Sequence, residues 1–233
     1  MRNPMLRPIP AILNDEVPRA KRAFGLAAPG RIRAAVFPIY KSMDGDLAGS
    51  NTKVACRDGC SHCCYYRVEV SAAEALALAE RIAAMPADAR KKTSERLMQT
   101  AQRVAPLSAA QYQVTNVPCA FLENERCSVY EMRPVSCRGH HSLDVAVCID
   151  AFENPDSGSM NPQDMFRMGV YAAYKRVFGI GQKLASRDSQ LYEMHGAVAE
   201  ALNDPAAAKR WRAGEISFPT VRDWRSLEES ASE

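Results

Sequence analysis

CRDGCSHCC, residues 56–64, puts Cys56, Cys60, Cys63 and Cys64 within nine positions. A second stretch, PCAFLENERCSVYEMRPVSCRGHHSLDVAVC (residues 118–148), adds Cys119, Cys127, Cys137 and Cys148. Together they hold all eight cysteines of the 233-residue chain, and nothing before Cys56 or after Cys148 adds another. Thiols concentrated in this way are read as ligands before they are read as packing residues, because isolated buried cysteines do not cluster four to nine residues.

The surrounding composition supports that choice. Hydrophobic residues make up 47% and charged residues 24% of the chain, an ordinary globular mix that can build a core without covalent staples. No apolar run reaches the roughly 18 residues of a membrane span. The opening residues MRNPMLRPIPAILNDEVPRA lack an apolar signal core and carry Asp15 and Glu16 where one would lie. A cytoplasmic location, with no membrane partner, is expected. In a reducing compartment clustered thiols serve metals or redox chemistry rather than disulfides.

The spacing of the first cluster suits chelation. A Cys-x2-Cys turn brings two sulfurs within the roughly 2.3 Å bond length of one ion. Gly59 gives the backbone freedom for that turn. Adjacent side chains in an extended chain point to opposite faces, so either Cys63 and Cys64 serve two ions or a multinuclear cluster, or one ligates and the other has a different role. Two zinc sites of four sulfurs would use all eight cysteines, as would one iron–sulfur cluster plus a second site. The expected cofactor is therefore zinc or iron, a 4Fe-4S cluster included.

Between the clusters the pattern is helical. Ser71 and Glu74 form a capping box, and Ala75, Leu78, Ala79, Ile82 and Met85 share one face before Pro86. A more polar helix is predicted for residues 87–104, with Leu97, Ala101 and Val104 inward. The two helices would fold back as an antiparallel pair that returns the chain to the metal. YYRVEV (residues 65–70) reads as a strand, and the second cluster as short loops and turns. Helices are predicted at about 162–178 and 186–202, with Phe218, Val221 and Trp224 packing back from the tail. The expected fold class is mainly α: a helical domain organised around a cysteine-rich metal centre, with short strands and loops at the site. Its expected divisions are a basic N-terminal arm (1–53), the cysteine-cluster domain (54–150) and a C-terminal helical extension (151–233).

The arm carries eight basic and two acidic residues through Lys41 and reads as a solvated arm wrapped on the domain, with one helix at about 31–42. Its charges are dispersed rather than blocked, which disfavours nucleic acid as a partner. The formal charge of +3 counts each thiol as neutral. Arg57, Arg126, Arg133 and Arg138 adjoin cysteines and can screen thiolates. Arg133 and Arg138 could also bind an anion, though a structural role suits them better.

At these residues the chain resembles the YkgJ-type CxxCxxCC family of zinc- or iron-chelating cysteine-cluster proteins. The resemblance rests on the vicinal Cys63-Cys64 and on a phrase comprising Cys119, Phe121-Leu122, Cys127, Val129-Tyr130, Arg133-Pro134 and Cys137-Arg138. It implies that Cys56, Cys60, Cys63, Cys64, Cys119, Cys127, Cys137 and Cys148 chelate metal together, without fixing a reaction. Flagellin lysine methylases carry a similar cysteine domain linked to an iron–sulfur centre. Cys56-x3-Cys60-x2-Cys63 also matches the three-cysteine spacing of radical S-adenosylmethionine enzymes. The helical sequence after Cys64 and the lack of a Gly-Gly-Glu run argue against that class.

Of the four histidines, His62, His140 and His141 lie within the clusters and are expected to buttress ligands. His195 shares a helical face with Leu191, Met194, Val198 and Leu202 and reads as a core histidine. Tyr65, Tyr66, Phe121 and Tyr130 would wall the centre from water. The leading functional expectation is metal binding for metal handling or as a structural and interaction module, with a metal ion and a protein as partners. An iron–sulfur enzyme of methyl or redox transfer and a thiol redox sensor are the alternatives, so whether the chain is an enzyme stays open.

Overall fold

The computed structural model describes residues 6–221, and the chain is mainly helical. Three helices form its centre: α1 (Ile9–Leu26), α2 (Ile32–Leu47) and α3 (Ala72–Ala83). α3 is buried nearly all round, with Ala72, Ala73, Ala75, Ala77 and Ala79 among its shielded residues. Small side chains let neighbours approach from several directions, which a helix with a polar face would not allow. Its predicted capping box is present. Glu74 accepts from the Ser71 backbone nitrogen and hydroxyl, both at 2.9 Å.

The first fifty residues depart from the expectation of a solvated arm. α1 buries Ile12, Glu16, Ala20 and Phe24, and α2 buries Ile32, Val36, Ile39, Tyr40, Met43 and Leu47. α2 thus covers the predicted 31–42 helix and runs further. Both helices contain an internal proline, Pro18 and Pro38. Such a residue costs about 3 kcal/mol in a helix, and burial of the apolar stripe offsets it. The partner of α1 is α8 (Met165–Leu184), which takes the place of the predicted 162–178 helix. At that contact a Cβ on Gly181 would stand 2.7 Å from Ala20 Cβ, so the glycine permits the close approach. Phe24, Phe178, Tyr40 and Trp211 join in one aromatic core with centroid separations of 5.6–6.2 Å. Each buried Phe contributes roughly 1.5–3 kcal/mol.

α4 (Ala87–Val104) matches its predicted limits and buries Leu97 and Val104, while Ala101 is half-buried. It does not fold onto α3 as a simple pair. α4 packs chiefly on α9 (Met194–Asn203), and α3 lies between α9 and α2, which accounts for the apolar faces each presents. A short helix not foreseen, α5 (Ala109–Val114), follows Ser108, whose hydroxyl accepts from Gln111 N in a second capping box.

Strand β1 is Glu69–Ser71, later and shorter than the predicted 65–70 strand, and residues 62–65 wind into a 3-10 turn. β1 pairs antiparallel with β4 (Leu191–Glu193), which occupies the start of the predicted 186–202 helix. A second small sheet joins β2 (Leu122–Glu123) to β3 (Arg126–Cys127). The second cysteine cluster also contains α6 (Val135–Gly139) and α7 (Val145–Glu153), more helix than its turn-rich sequence suggested. α10 (Ala207–Ala213) supplies Trp211. Phe218 packs edge-on to Tyr192 at 5.0 Å and Val221 adjoins the core, while Trp224 lies outside the described residues. Among the described residues no helix is long and apolar enough to cross a membrane.

Candidate metal centre

The first cluster begins on a tight turn. Cys60 N donates to Arg57 O at 3.1 Å, and Gly59 takes φ +79°, a left-handed conformation that glycine adopts without strain. Cys63 and Cys64 follow inside the 3-10 turn, with Cys64 N donating to Ser61 O at 2.8 Å. This corrects the extended reading of the vicinal pair. Three residues per turn set neighbours about 120° apart rather than on opposite faces, and the two thiols are within hydrogen-bonding reach of each other.

Backbone hydrogen bonds bring the second cluster to the first. Cys119 N donates to Cys64 O at 2.8 Å, and Ala55 N donates to Ser142 O at 2.8 Å. Ser142 N in turn points at Cys56 Sγ, 3.4 Å away. The β2–β3 hairpin turns through Asn124 (φ 47°) and Glu125 (φ 61°), the left-handed pair that a two-residue hairpin requires. Its register sets Cys127 opposite Leu122 and so returns it toward Cys119. Two side-chain links tie this hairpin to the first cluster. Arg126 grips Asp58 with a fork at 3.0 and 2.6 Å, and Ser61 donates to Glu125.

α6 carries Cys137 inward, and Asp144 caps α7, which delivers Cys148. All eight cysteines are free. Their mutual influence sorts them into two groups. Cys148 is electrostatically coupled to Cys56, Cys60 and Cys63, and Cys56 to Cys60 and Cys63. Cys137 is coupled to Cys119, Cys63 and Cys127, and Cys127 to Cys119 and Cys63. Cys63 stands between the groups. Burial raises the thiols of Cys56, Cys137 and Cys148, and pushes Cys127 up to about 11. Cys63 is raised first by its hydrogen bond with Cys64 and then by burial. Packed together, these sulfurs resist becoming anions unless a cation joins them.

Arg133 lies where the sequence suggested a charge-compensating guanidinium. It lowers the thiols of Cys63, Cys127 and Cys137 while stacking 4.0 Å over the Tyr130 ring. Arg138 has other partners. Its nearly buried side chain binds both carboxylate oxygens of Asp44, at 2.6 and 2.7 Å, and reaches the Glu131 carbonyl. Arg126 is committed to Asp58, as above.

The histidines divide sharply. His141 spends both nitrogens on backbone: Nδ1 lies 2.8 Å from Gly139 O, and Nε2 accepts from Asp164 N at 2.8 Å. His62 packs against Phe152, and His140 meets the edge of Tyr66, where burial lowers its pKa. Tyr65 packs edge-on to Phe152 at 4.7 Å, so α7 closes over the 3-10 turn.

His195 is the buried, hydrogen-bonded core histidine that the sequence suggested, but its partners could not be read from the sequence. It is buried, yet its ring joins a polar constellation rather than an apolar face. Nδ1 lies 2.8 Å from Glu193 Oε1 and 3.4 Å from the Tyr112 hydroxyl. Nε2 lies 3.4 Å from Ala120 N, and the imidazole is within hydrogen-bonding reach of the Cys119 thiol. Burial works against charge on both His195 and Glu193. Their opposite charges prevail, holding the carboxyl low and the imidazole up at about 10. The signal in the sequence was Glu-x-His at a helix start, where Glu193 caps α9 through His195 N and Gly196 N. It becomes legible once β4 is known to end at Glu193.

Among the described residues no three Cys, His, Asp or Glu side chains already stand around one point as an ion would need. The donor set itself suits a thiophilic metal: eight free sulfurs, with backbone nitrogens and one guanidinium directed toward them.

Residues 55–160 match the family model CxxCxxCC, described as a "Putative zinc- or iron-chelating domain". The match takes in all eight cysteines and just under half of the chain. Neither a curated protein nor a solved structure matches it.

Proposed function

We propose that this chain is a metal-binding protein whose eight cysteines chelate zinc or iron in a centre that fastens the segments 55–67 and 117–153 to the helical core. The observation that carries the reading is the set of hydrogen bonds that bring sulfurs from separate stretches together: Cys119 N to Cys64 O, Ala55 N to Ser142 O and Ser142 N to Cys56 Sγ. Cys56, Cys60, Cys63 and Cys148 form one donor group. Cys119, Cys127 and Cys137 form the other, with Cys63 facing both and Cys64 hydrogen-bonded to it. The CxxCxxCC match supports chelation by the same cysteines.

Bound zinc would supply charge neutralisation and hold the loops, and iron would add electron transfer. The protein's own part is to present sulfurs at fixed positions, to aim Ser142 N at Cys56, and to set the Arg133 charge beside the second group. Phe152 packs on Tyr65 and His62, the residues that flank Cys63 and Cys64. Cys148 beside Cys56, Cys60 and Cys63 speaks against a three-cysteine cluster with one iron left open, so metal handling or a structural and interaction role is favoured over radical chemistry.

Metal analysis and an absorption spectrum of protein purified without oxygen test this directly. The expected result is about two zinc ions per chain and no visible colour, or stoichiometric iron with broad thiolate-to-iron absorption. Protein that holds neither metal, and takes up neither on reconstitution, would end the reading.

A further inference from the structure

The second sulfur group is one donor short of a four-coordinate set, and the structure places a candidate beside it. Cys119, Cys127 and Cys137 are mutually coupled, whereas the thiol of Cys64 is turned to Cys63. Next to Cys119 in the chain, Ala120 N donates to Nε2 of the His195 imidazole at 3.4 Å.

We infer that His195 is a metal ligand, its Nε2 completing a three-sulfur, one-nitrogen set with Cys119, Cys127 and Cys137. The inference rests on the metal-binding reading and deepens it by naming a donor outside the matched segment.

The geometry of the ring supports it. A ligating histidine characteristically gives its second ring N–H to a carboxylate, which fixes the ring and strengthens the donor nitrogen. Glu193 Oε1 does this at Nδ1, 2.8 Å away. That carboxylate is fixed in turn. It receives His195 N at 3.1 Å and Gly196 N at 2.7 Å, and the Tyr112 hydroxyl lies 3.5 Å from it. Nε2 thereby faces the backbone beside Cys119 and accepts from Ala120 N at 3.4 Å. A histidine that merely filled core space would have no need of a carboxylate buried with it.

Nor is the segment loosely placed. β4 ends at Glu193 and pairs with β1, which begins five residues after Cys64, and Met194 N donates to Val68 O at 3.0 Å. The backbone that follows the first sulfur cluster therefore positions the nitrogen donor of the second. Three cysteines and one histidine are a familiar zinc donor set. The C-terminal segment thus completes the centre rather than only packing against it.

Cobalt(II) reports the donors through its d–d and thiolate charge-transfer bands. The test uses the full chain, stripped of metal and titrated with cobalt, then with zinc in competition with a chelator. Wild-type protein that binds no cobalt or zinc, and takes up no iron on reconstitution, refutes the metal reading itself, separately from this inference. If wild-type binds, H195C should move the d–d bands to longer wavelength, as an added thiolate does, while keeping the metal. H195Q should lose affinity at one site, and E193Q should weaken that site by about 10- to 100-fold. C64S should leave the bands of that site in place. H195C and H195Q bands identical to wild-type would overturn the proposal, as would a spectrum altered by C64S and not by H195Q. Zinc X-ray absorption on the unmodified chain decides the matter if the variants fail to fold. Seven sulfurs and one nitrogen across two ions are expected, and sulfur alone refutes it.

Discussion

Arg138, the residue after Cys137, binds both carboxylate oxygens of Asp44 on α2, at 2.6 and 2.7 Å, and its guanidinium lies 4.3 Å from the centre of the Tyr40 ring. The ion pair connects the second cysteine cluster to the N-terminal helices across 94 residues. Because the Arg138 side chain is nearly buried, removing its partner strands a charge. D44A should cost about 3 kcal/mol, read as a lower denaturant midpoint at unchanged slope. It should also speed alkylation of Cys137 in metal-free protein. Wild-type values for both would mean that the pair holds nothing together.

Glu74 joins three elements through one carboxylate. Oε1 accepts from Tyr40 OH at 3.1 Å and Val135 N at 2.8 Å, while Oε2 serves Ser71. E74Q turns an N–H2 toward groups that are themselves donors, and should cost about 2 kcal/mol. Its pH dependence has a definite sign. Burial raises the Glu74 carboxyl above its ordinary 4.5, and the hydrogen bonds only partly oppose this. The stability linked to its protonation is complete below pH 4.5 and is lost as pH rises through the folded-state value. The cost of E74Q should therefore be largest at acid pH and shrink on the way to neutrality. A cost that grows with pH would show that the carboxylate form is the one the fold favours.

These two links show what could be read from sequence and what could not. The capping box at Ser71 and Glu74 and the limits of α4 follow from local patterns, since caps, prolines and apolar period act within a few residues. Of the N-terminal helices, α1 did not declare itself and α2 did so only over 31–42. Pro18 and Pro38 interrupt the pattern, and the reason to tolerate them, a face buried on α8, lies more than 120 residues away. β4 is three residues long and exists through its pairing with β1. The cysteines were legible as one group because thiols cluster for few other reasons. Their division into two, and the approach of His195, depend on a hairpin register and on β4, neither of which has a local signature.

Removing the metal should separate the core from the loops. The core around Phe24, Tyr40, Phe178 and Trp211 is built without sulfur, so most helical circular dichroism should survive chelation. Hydrogen exchange should accelerate at residues 56–64 and 119–148, whose turns, short hairpin and short helices lose the cross-link between them once the ligands part. Protection in those segments that is equal with and without metal would show that the loops are held by protein contacts alone.

The two donor groups should empty separately. If each holds one ion, C60S should remove one metal equivalent and leave the second group intact, while C127S should do the reverse. Each variant would then retain about half of the wild-type metal, measured by elemental analysis on protein of verified monodispersity. Loss of all metal from either variant would instead indicate one cluster bridged through Cys63, the sulfur coupled to both groups.

Phe152 should govern how fast the first group exchanges its metal. The ring packs between Tyr65 and His62, at centroid distances of 4.7 and 5.9 Å, and its backbone carbonyl accepts from Asn116 Nδ2 at 2.6 Å. F152A deletes the ring without touching a sulfur, so affinity set by the ligands should change little. Water and chelator, however, would gain access from the α7 side. Metal transfer to an external chelator should therefore quicken at the first group, with transfer from the second group unchanged as an internal reference. F152L, which keeps apolar bulk, should restore slow transfer. Equal acceleration at both groups in F152A would mean that the substitution loosens the whole centre, and the shielding role would fall with it.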